Sequence, residues 1–366
     1  MPLDSATALP PPEPAAGLAA YRRERARRLA GDARCRANYA LYQRAVRRSA
    51  TVAYLPIKLD IENVSRCNFA CTMCPVSEWP KGRRAADMPL AAFQQLIDEQ
   101  YGLVEIKLQG MGEPTLQRDA FFAMIRYARA QRIWVRTTTN ASLLHLADNA
   151  RKLVDSDANE IQISIDGADK ATYEAIRRHS TFARVTANCR RLNELCAARG
   201  VVRTKMWTVV QQANRHQLPA LVDLAAELGF RNLVFSLSLS DFGQPAWRAR
   251  NDAVASGDSV TRAAAEALVA RGRERGVRVG FWMVREKYRV GPSPRLCPWP
   301  FERAFVSSDL RVVPCCFIGI PEVSELGSAA DGFSRVWFGP AMTAFRQAHL
   351  DGRPPAICRG CYETGV

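Results

Sequence analysis

The stretch Pro56–Trp79, PIKLDIENVSRCNFACTMCPVSEW, decides how the rest of the chain is read. Its centre is Cys67-Asn68-Phe69-Ala70-Cys71-Thr72-Met73-Cys74, a C-x3-C-x2-C run placed directly after an apolar, strand-like segment. Three thiolates in so short a span converge on one centre only if the backbone loops around it. A structural zinc site closes with four ligands, so three nearby ones suggest a vacancy. Thiolates also suit iron–sulfur clusters, where an iron without a protein ligand can take a small molecule. A share in a zinc site is the plainer alternative.

Outward from this run the chain repeats one unit. Strand-like runs occur at 57–62, 104–109, 133–138, 160–165, 202–210 and 232–237, with a further one at 277–283. Helical patterns lie between them at 90–100, 119–131, 142–155, 170–199 (broken near Ser180) and 217–228, and another follows at 259–275. Strands alternating with helices predict a parallel sheet with right-handed crossovers. The expected fold is therefore α/β, a partial (β/α)6 barrel of the TIM type. Functional residues of such a barrel sit just after each strand. There the sequence places the cysteine run, then Gln109-Gly110-Met111-Gly112-Glu113-Pro114, then Thr137–Asn140, then Ser164-Ile165-Asp166-Gly167, then Gln211–Asn214, then Ser236–Asp241.

At 366 residues the chain accommodates one large domain or a large and a small one. The Pro- and Ala-rich residues 1–17 read as a disordered tail, and 19–49 as basic helix, so that 1–50 forms an extension to the core. The net charge of +15 resides largely in arginines along helices. A solvated basic surface accounts for it, and no specific nucleic-acid partner is expected. No secretory signal or membrane span is visible, which points to the cytoplasm. Eleven cysteines in clusters fit metal ligation better than a disulfide framework. Cys35 reads as an ordinary buried thiol. Cys189 and Cys196 fall on one helix face and read as packing.

Residues 291–366 are a different object from the core at 51–290. Cys297 and Cys315 are followed after a long gap by Cys358-Arg359-Gly360-Cys361, giving C-x17-C and then C-x2-C. A hairpin is expected over 303–315, turning at Asp309, and a helical stretch over 333–350. Four thiolates make a complete cage, which a zinc ribbon would satisfy as well. Cys316 is the odd residue, adjacent to Cys315 and able to exchange roles with it.

The Cys67, Cys71, Cys74 spacing, with the strand before it, resembles the radical S-adenosylmethionine (SAM) superfamily. In that family three such cysteines hold a 4Fe–4S cluster whose remaining iron chelates SAM. Gly110–Pro114 is similar to its GGEP motif, with Met111 in place of one glycine. Glycine lets backbone approach a ligand closely, and the Glu113 carboxylate suits the ammonium of SAM. A plain strand-to-helix turn beginning at Pro114 is the alternative. Ser164 in SIDG matches a serine that contacts the SAM carboxylate, and Arg177 an arginine that pairs with it; a solvated helix arginine is the alternative. Met73 matches a position whose backbone meets the adenine. Asn140 and Asn214 are candidate ribose or adenosyl contacts, or helix N-caps.

The C-terminal cysteines resemble the SPASM/twitch extensions, with Cys297, Cys315, Cys358 and Cys361 as ligands of one auxiliary 4Fe–4S cluster. The resemblance thus implies SAM and two 4Fe–4S clusters as cofactors, and an electron donor such as a flavodoxin or ferredoxin. It also implies hydrogen abstraction by a 5′-deoxyadenosyl radical. The C-terminal set is most similar to the radical SAM dehydrogenases of aminocyclitol antibiotic biosynthesis. The expected reaction is accordingly oxidation of a secondary alcohol of a sugar or aminocyclitol to a ketone, the auxiliary cluster accepting an electron. The alternatives are a radical epimerase of an aminoglycoside-type substrate, with Cys316 as catalytic hydrogen donor, and a peptide-modifying SPASM enzyme.

Overall fold

The computed structural model describes residues 9–45, 48–79, 86–282, 287–291 and 294–362. The N-terminal extension forms α1 (Leu18–Gly31) and α2 (Ala33–Arg44). Asp32 separates them because its side chain accepts the amide N–H groups of Arg34 and Cys35, capping α2.

The core then runs β1 (Lys58–Ile61), β2 (Ala70–Cys71), α3 (Leu90–Glu99), β3 (Glu105–Leu108), α4 (Asp119–Ala130), β4 (Trp134–Thr139), α5 (Asn149–Asp155) and β5 (Glu160–Ser164). It continues with α6 (Lys170–Ile176), β6 (Arg177–Arg178), α7 (Phe182–Ala198), β7 (Thr204–Val209), α8 (Leu218–Glu227), β8 (Asn232–Ser236), α9 (Pro245–Val254), α10 (Arg262–Glu274) and β9 (Arg278–Trp282). The last part adds α11 (Trp299–Glu302), β10 (Arg303–Val306), β11 (Arg311–Val313), β12 (Gly327–Ser328), α12 (Phe333–Trp337) and α13 (Pro340–Leu350).

Strand order in the main sheet is β12-β11-β10-β1-β3-β4-β5-β7-β8-β9. Every neighbouring pair from β10 through β1 to β9 is parallel, and β10, β11 and β12 are antiparallel. This is the expected partial barrel, extended at one edge by β9 and at the other by the C-terminal strands. The expected hairpin is β10–β11, with Asp309 in its turn. Outward strand residues such as Ile106, Val135, Ile161 and Leu233 pack under Phe93, Phe121, Leu192 and Leu221 of the helices. Each such side chain contributes about 1.5–3 kcal/mol on burial. Cys35, Cys189 and Cys196 are buried among apolar neighbours, as expected.

The barrel floor, by contrast, is charged. Arg136 bridges Glu105 at 3.0 Å and Glu160 at 3.2 Å, and Lys205 reaches Glu160 at 3.1 Å. Burial works against the Glu105 carboxylate, but Arg136, Lys58 and Arg303 hold it down to about 2. The extension closes this end: Tyr21 of α1 donates to Glu105 at 2.8 Å, and the Ala15 amide donates to Glu160 at 2.9 Å.

Two expectations change here. Residues 9–17 are not a loose tail, since Phe281 of β9 donates to the Pro10 carbonyl and Asn232 to that of Ala15. A Pro-rich segment with few donors of its own still serves as an acceptor edge for a strand. Residues 1–8 lie outside the described residues. The second change is the helix expected from Ser142, which begins only at Asn149, after a turn.

Candidate active site at two cysteine sets

The break expected near Ser180 is what fixes the first cysteine loop. Between α6 and α7 the chain forms β6, which pairs antiparallel with β2 so that Cys71 faces Arg177 and Ala70 faces Arg178. The Thr72 amide adds a bond to the Ile176 carbonyl at 3.0 Å. Arg177 Nη1 lies 3.8 Å from Cys71 Sγ, and its Nη2 makes a buried ion pair with Asp166 at 2.7 Å. Burial raises the Cys71 thiol and Arg177 opposes that rise. Burial and the Glu113 carboxylate push Cys67 up to about 12. A thiol so placed gives up its proton when a metal takes the sulfur.

Gly110 and Gly112 prove necessary for a reason internal to the protein. A Cβ on Gly110 would meet Glu62 Cγ at 2.3 Å, and one on Gly112 the Val64 carbonyl oxygen at 2.3 Å. The glycines thus let the GMGEP loop lie against the chain leading into the cysteine run, and the Glu113 amide donates to the Arg66 carbonyl at 2.9 Å. Glu113 is buried. Its Oε1 accepts from the Thr115 amide and hydroxyl and from the Thr139 hydroxyl, while Oε2 accepts from the Asn140 amide alone, at 2.7 Å. A carboxylate oxygen has two lone pairs, so Oε2 retains one for a ligand ammonium.

Asn140 sits beside the loop, its Nδ2 donating to Asn68 Oδ1 at 3.0 Å and lying 4.0 Å from Cys67 Sγ. Met73, Gly110 and Ser164 line the central cavity. Gly112, Glu113, Asn140, Arg177 and Asn214 do not. Asn214 is fully buried and commits its amide to the Asp166 and Val209 carbonyls and the Gln211 N–H, bracing the ends of β5 and β7. Arg177 spends its charge on Asp166 and Cys71, within the protein.

The cavity has a volume of about 560 Å³ and reaches from Met73 and Cys74 to Cys297, Cys315, Cys316, Cys358 and Cys361. Cys74 of the first set therefore opens on the same space as the C-terminal cysteines. Burial raises all five C-terminal thiols. Cys315, Cys358 and Cys361 each act electrostatically on or with Cys297. Cys316, pushed up to about 12 by burial, has Asp60, Lys107, Arg303 and Arg136 as its main charged neighbours. It also acts electrostatically on Cys315 and Cys361. Among the described residues no three Cys, His, Asp or Glu side chains are gathered tightly enough to share one ion. A four-iron cluster asks for a wider set, because each thiolate takes a separate iron. All-sulfur donor sets of three and four, with Arg177 beside one thiol, fit such clusters.

Sequence reasoning passed over Glu62, which follows β1 and joins the GMGEP loop to the C-terminal part. It accepts from the Met111 amide at 2.7 Å and the Ser308 amide at 3.3 Å. Burial raises it to about 7. A carboxylate at the end of a barrel strand was the available signal.

Residues 63–237 match the radical SAM superfamily, and residues 297–362 match the SPASM iron–sulfur cluster-binding domain. The chain carries a radical SAM domain followed by a SPASM domain. Its cofactors are SAM with a 4Fe–4S cluster in the radical SAM domain and auxiliary iron–sulfur in the SPASM domain. The chain is 33% identical over 197 residues to mycofactocin maturase MftC of Mycobacterium ulcerans, covering 52% of this chain and 50% of that protein. It is 26% identical over 326 residues to the PqqA peptide cyclase of Methylorubrum populi, covering 85% and 79%. It spans about half the length of the mycofactocin maturases that it matches. Among solved structures, SuiB of Streptococcus suis bound to the precursor peptide SuiA shares the fold, with a TM-score of 0.62 at 14% identity, covering 80% of this chain and 67% of that one.

The likeness to the PqqA peptide cyclase, which covers most of both chains, overturns the sugar or aminocyclitol substrate expected above, since that relative is named for a peptide. The physical reason is that the spacing of thiolates reports how iron is held, not what fills the cavity beside it. Among the described residues no helix is long and apolar enough to cross a membrane.

Proposed function

We propose that this radical SAM–SPASM protein is a peptide-modifying enzyme that performs an oxidation at a carbon of its substrate. The observation that carries the reading is the cavity lined by Cys74 of the first set and by the C-terminal cysteines, which puts a bound residue beside both sets. The likeness to a peptide cyclase over most of the chain supports a peptide as the occupant. With the cofactors bound, one-electron cleavage of SAM supplies the hydrogen-abstracting radical, and auxiliary iron–sulfur supplies an electron acceptor.

The protein's own residues bind and orient. Cys67, Cys71 and Cys74 hold the first cluster, and Cys297, Cys315, Cys358 and Cys361 hold an auxiliary one. Glu113 Oε2 would accept a hydrogen bond from the SAM ammonium, and the Ser164 hydroxyl would donate one to the SAM carboxylate. Met73 and Gly110 offer backbone at the same wall. Arg177 and Asp166 stiffen the first cysteine loop from behind, and Asn140 and Asn214 hold the strand ends in place. The division of labour falls near residue 290, with residues 51–290 binding SAM and 291–366 the auxiliary iron. Cys316 favours a second reading, in which its thiol, in the cavity wall, returns hydrogen to the substrate.

The test is mass spectrometry after anaerobic reconstitution, using a library of synthetic peptides, SAM and dithionite. A peptide lighter by two hydrogens, with 5′-deoxyadenosine formed in step, supports oxidation. A peptide of unchanged mass in ordinary water that gains one deuterium at carbon in heavy water supports hydrogen return by Cys316. Unaltered peptides throughout contradict both.

A further inference from the structure

The cavity floor holds a cation that the radical chemistry does not use. Lys107 of β3 and Gln109 directly after it point to the same side as Arg136 and Thr138 of the neighbouring β4, because strand residues two apart share a face and Lys107 pairs in register with Arg136. All four line the cavity. Arg136 is taken up by Glu105 and Glu160. Asp60 of β1, in register with Lys107, has Arg303 at 3.8 Å and Lys107 as a further cation acting on it from outside ion-pair distance. Lys107 is half-buried and makes no ion pair within 4.0 Å of a carboxylate among the described residues. Beside it the Thr138 hydroxyl and Gln109 Oε1 are buried without a hydrogen-bond partner. Two of these groups, an ammonium and a hydroxyl, are donors, and a half-buried ammonium facing a cavity calls for an anion.

Further along the sheet the wall is aromatic. Trp207 of β7 meets Trp282 of β9 edge-on at 5.6 Å, and Trp282 stacks on Phe317 at 5.3 Å. One end of the cavity therefore suits a carboxylate and the other a flat apolar side chain.

We propose that Lys107, assisted by Thr138 Oγ1, is a carboxylate-binding subsite that selects the substrate residue presented to the cavity. The inference deepens the peptide reading and rests on it. The carboxylate is either a chain terminus or an Asp or Glu side chain, and the geometry serves both.

The experiment is anaerobic equilibrium dialysis of the reconstituted, SAM-loaded protein against three blocked dipeptides: N-acetyl-Ala-Phe, its C-terminal amide, and N-acetyl-Glu-Phe-amide. At least one carboxylate probe binds about tenfold more tightly than N-acetyl-Ala-Phe-amide, the effect of one charge-assisted contact. Whichever acid probe is preferred identifies the source of the carboxylate. Lys107→Met abolishes the preference, Lys107→Arg keeps it, and Thr138→Val weakens it, so the proposal stays testable if one variant fails to fold. Equal binding of all three probes, retention of none, or a preference that survives Lys107→Met overturns the subsite. None of these outcomes touches the peptide reading, which the mass measurement decides separately.

Discussion

Cys71 and Arg177, 106 residues apart in the chain, face each other across the short β2–β6 ladder, with the guanidinium 3.8 Å from the thiol. The same guanidinium neutralises Asp166, whose other oxygen accepts the Val209 amide at 2.7 Å. The first cysteine loop is thereby tied to the ends of β5 and β7. Arg177→Met should leave the Asp166 carboxylate buried and unpaired, costing about 3–5 kcal/mol. Adding Asp166→Asn should restore part of the loss. Chemical denaturation of the two variants checks this, and a single variant as stable as the parent contradicts it.

Glu113→Gln should weaken SAM binding roughly tenfold, the effect of one lost charge-assisted bond. The substitution leaves the thiolates untouched, so iron content should not change. Calorimetric titration with SAM decides the matter. Undiminished affinity would assign Glu113 to fastening Thr115, Thr139 and Asn140 alone.

The adjacent cysteines should behave differently. Cys315→Ala should lose about half of the roughly eight irons expected for two filled 4Fe–4S sites, and Cys316→Ala should keep them. Iron analysis after reconstitution separates them. The reverse pattern would exchange their roles.

Glu62 gives a pH dependence of known sign. Its carboxyl is raised from 4.5 to about 7 in the folded protein, first by burial. Between those values the folded state holds a proton that the unfolded state has released, so the contribution of Glu62 to stability is present below the unfolded value and lost as pH rises to about 7. The loss is on the order of 3 kcal/mol. In Glu62→Gln the fall of stability between these pH values should be shallower by that amount, measured by urea unfolding at each pH.

The strand–helix alternation and the C-x3-C-x2-C run were legible because period and spacing are local properties. The pairing of Cys71 with Arg177 was not, because it depends on the register of two-residue strands far apart in sequence. Gly110 and Gly112 were recognisable as a motif, yet their reason lies in the close approach of residues 62–66, which only the folded chain reveals. Residues 9–17 have the composition of a loose tail, and their partners, Phe281 and Glu160, are supplied by the barrel. The substrate was the least legible feature. Cysteine spacing constrains iron, whereas the cavity is lined from seven strands and the C-terminal segment together.

The most direct measurement is 5′-deoxyadenosine formation from SAM by the anaerobically reconstituted protein with dithionite, beside a variant in which Cys67, Cys71 and Cys74 are all Ala. The account predicts 5′-deoxyadenosine and methionine in equal amounts from the parent and none from the variant, which should still retain about half the iron. No product from the parent, or an equal rate from the variant, would contradict it.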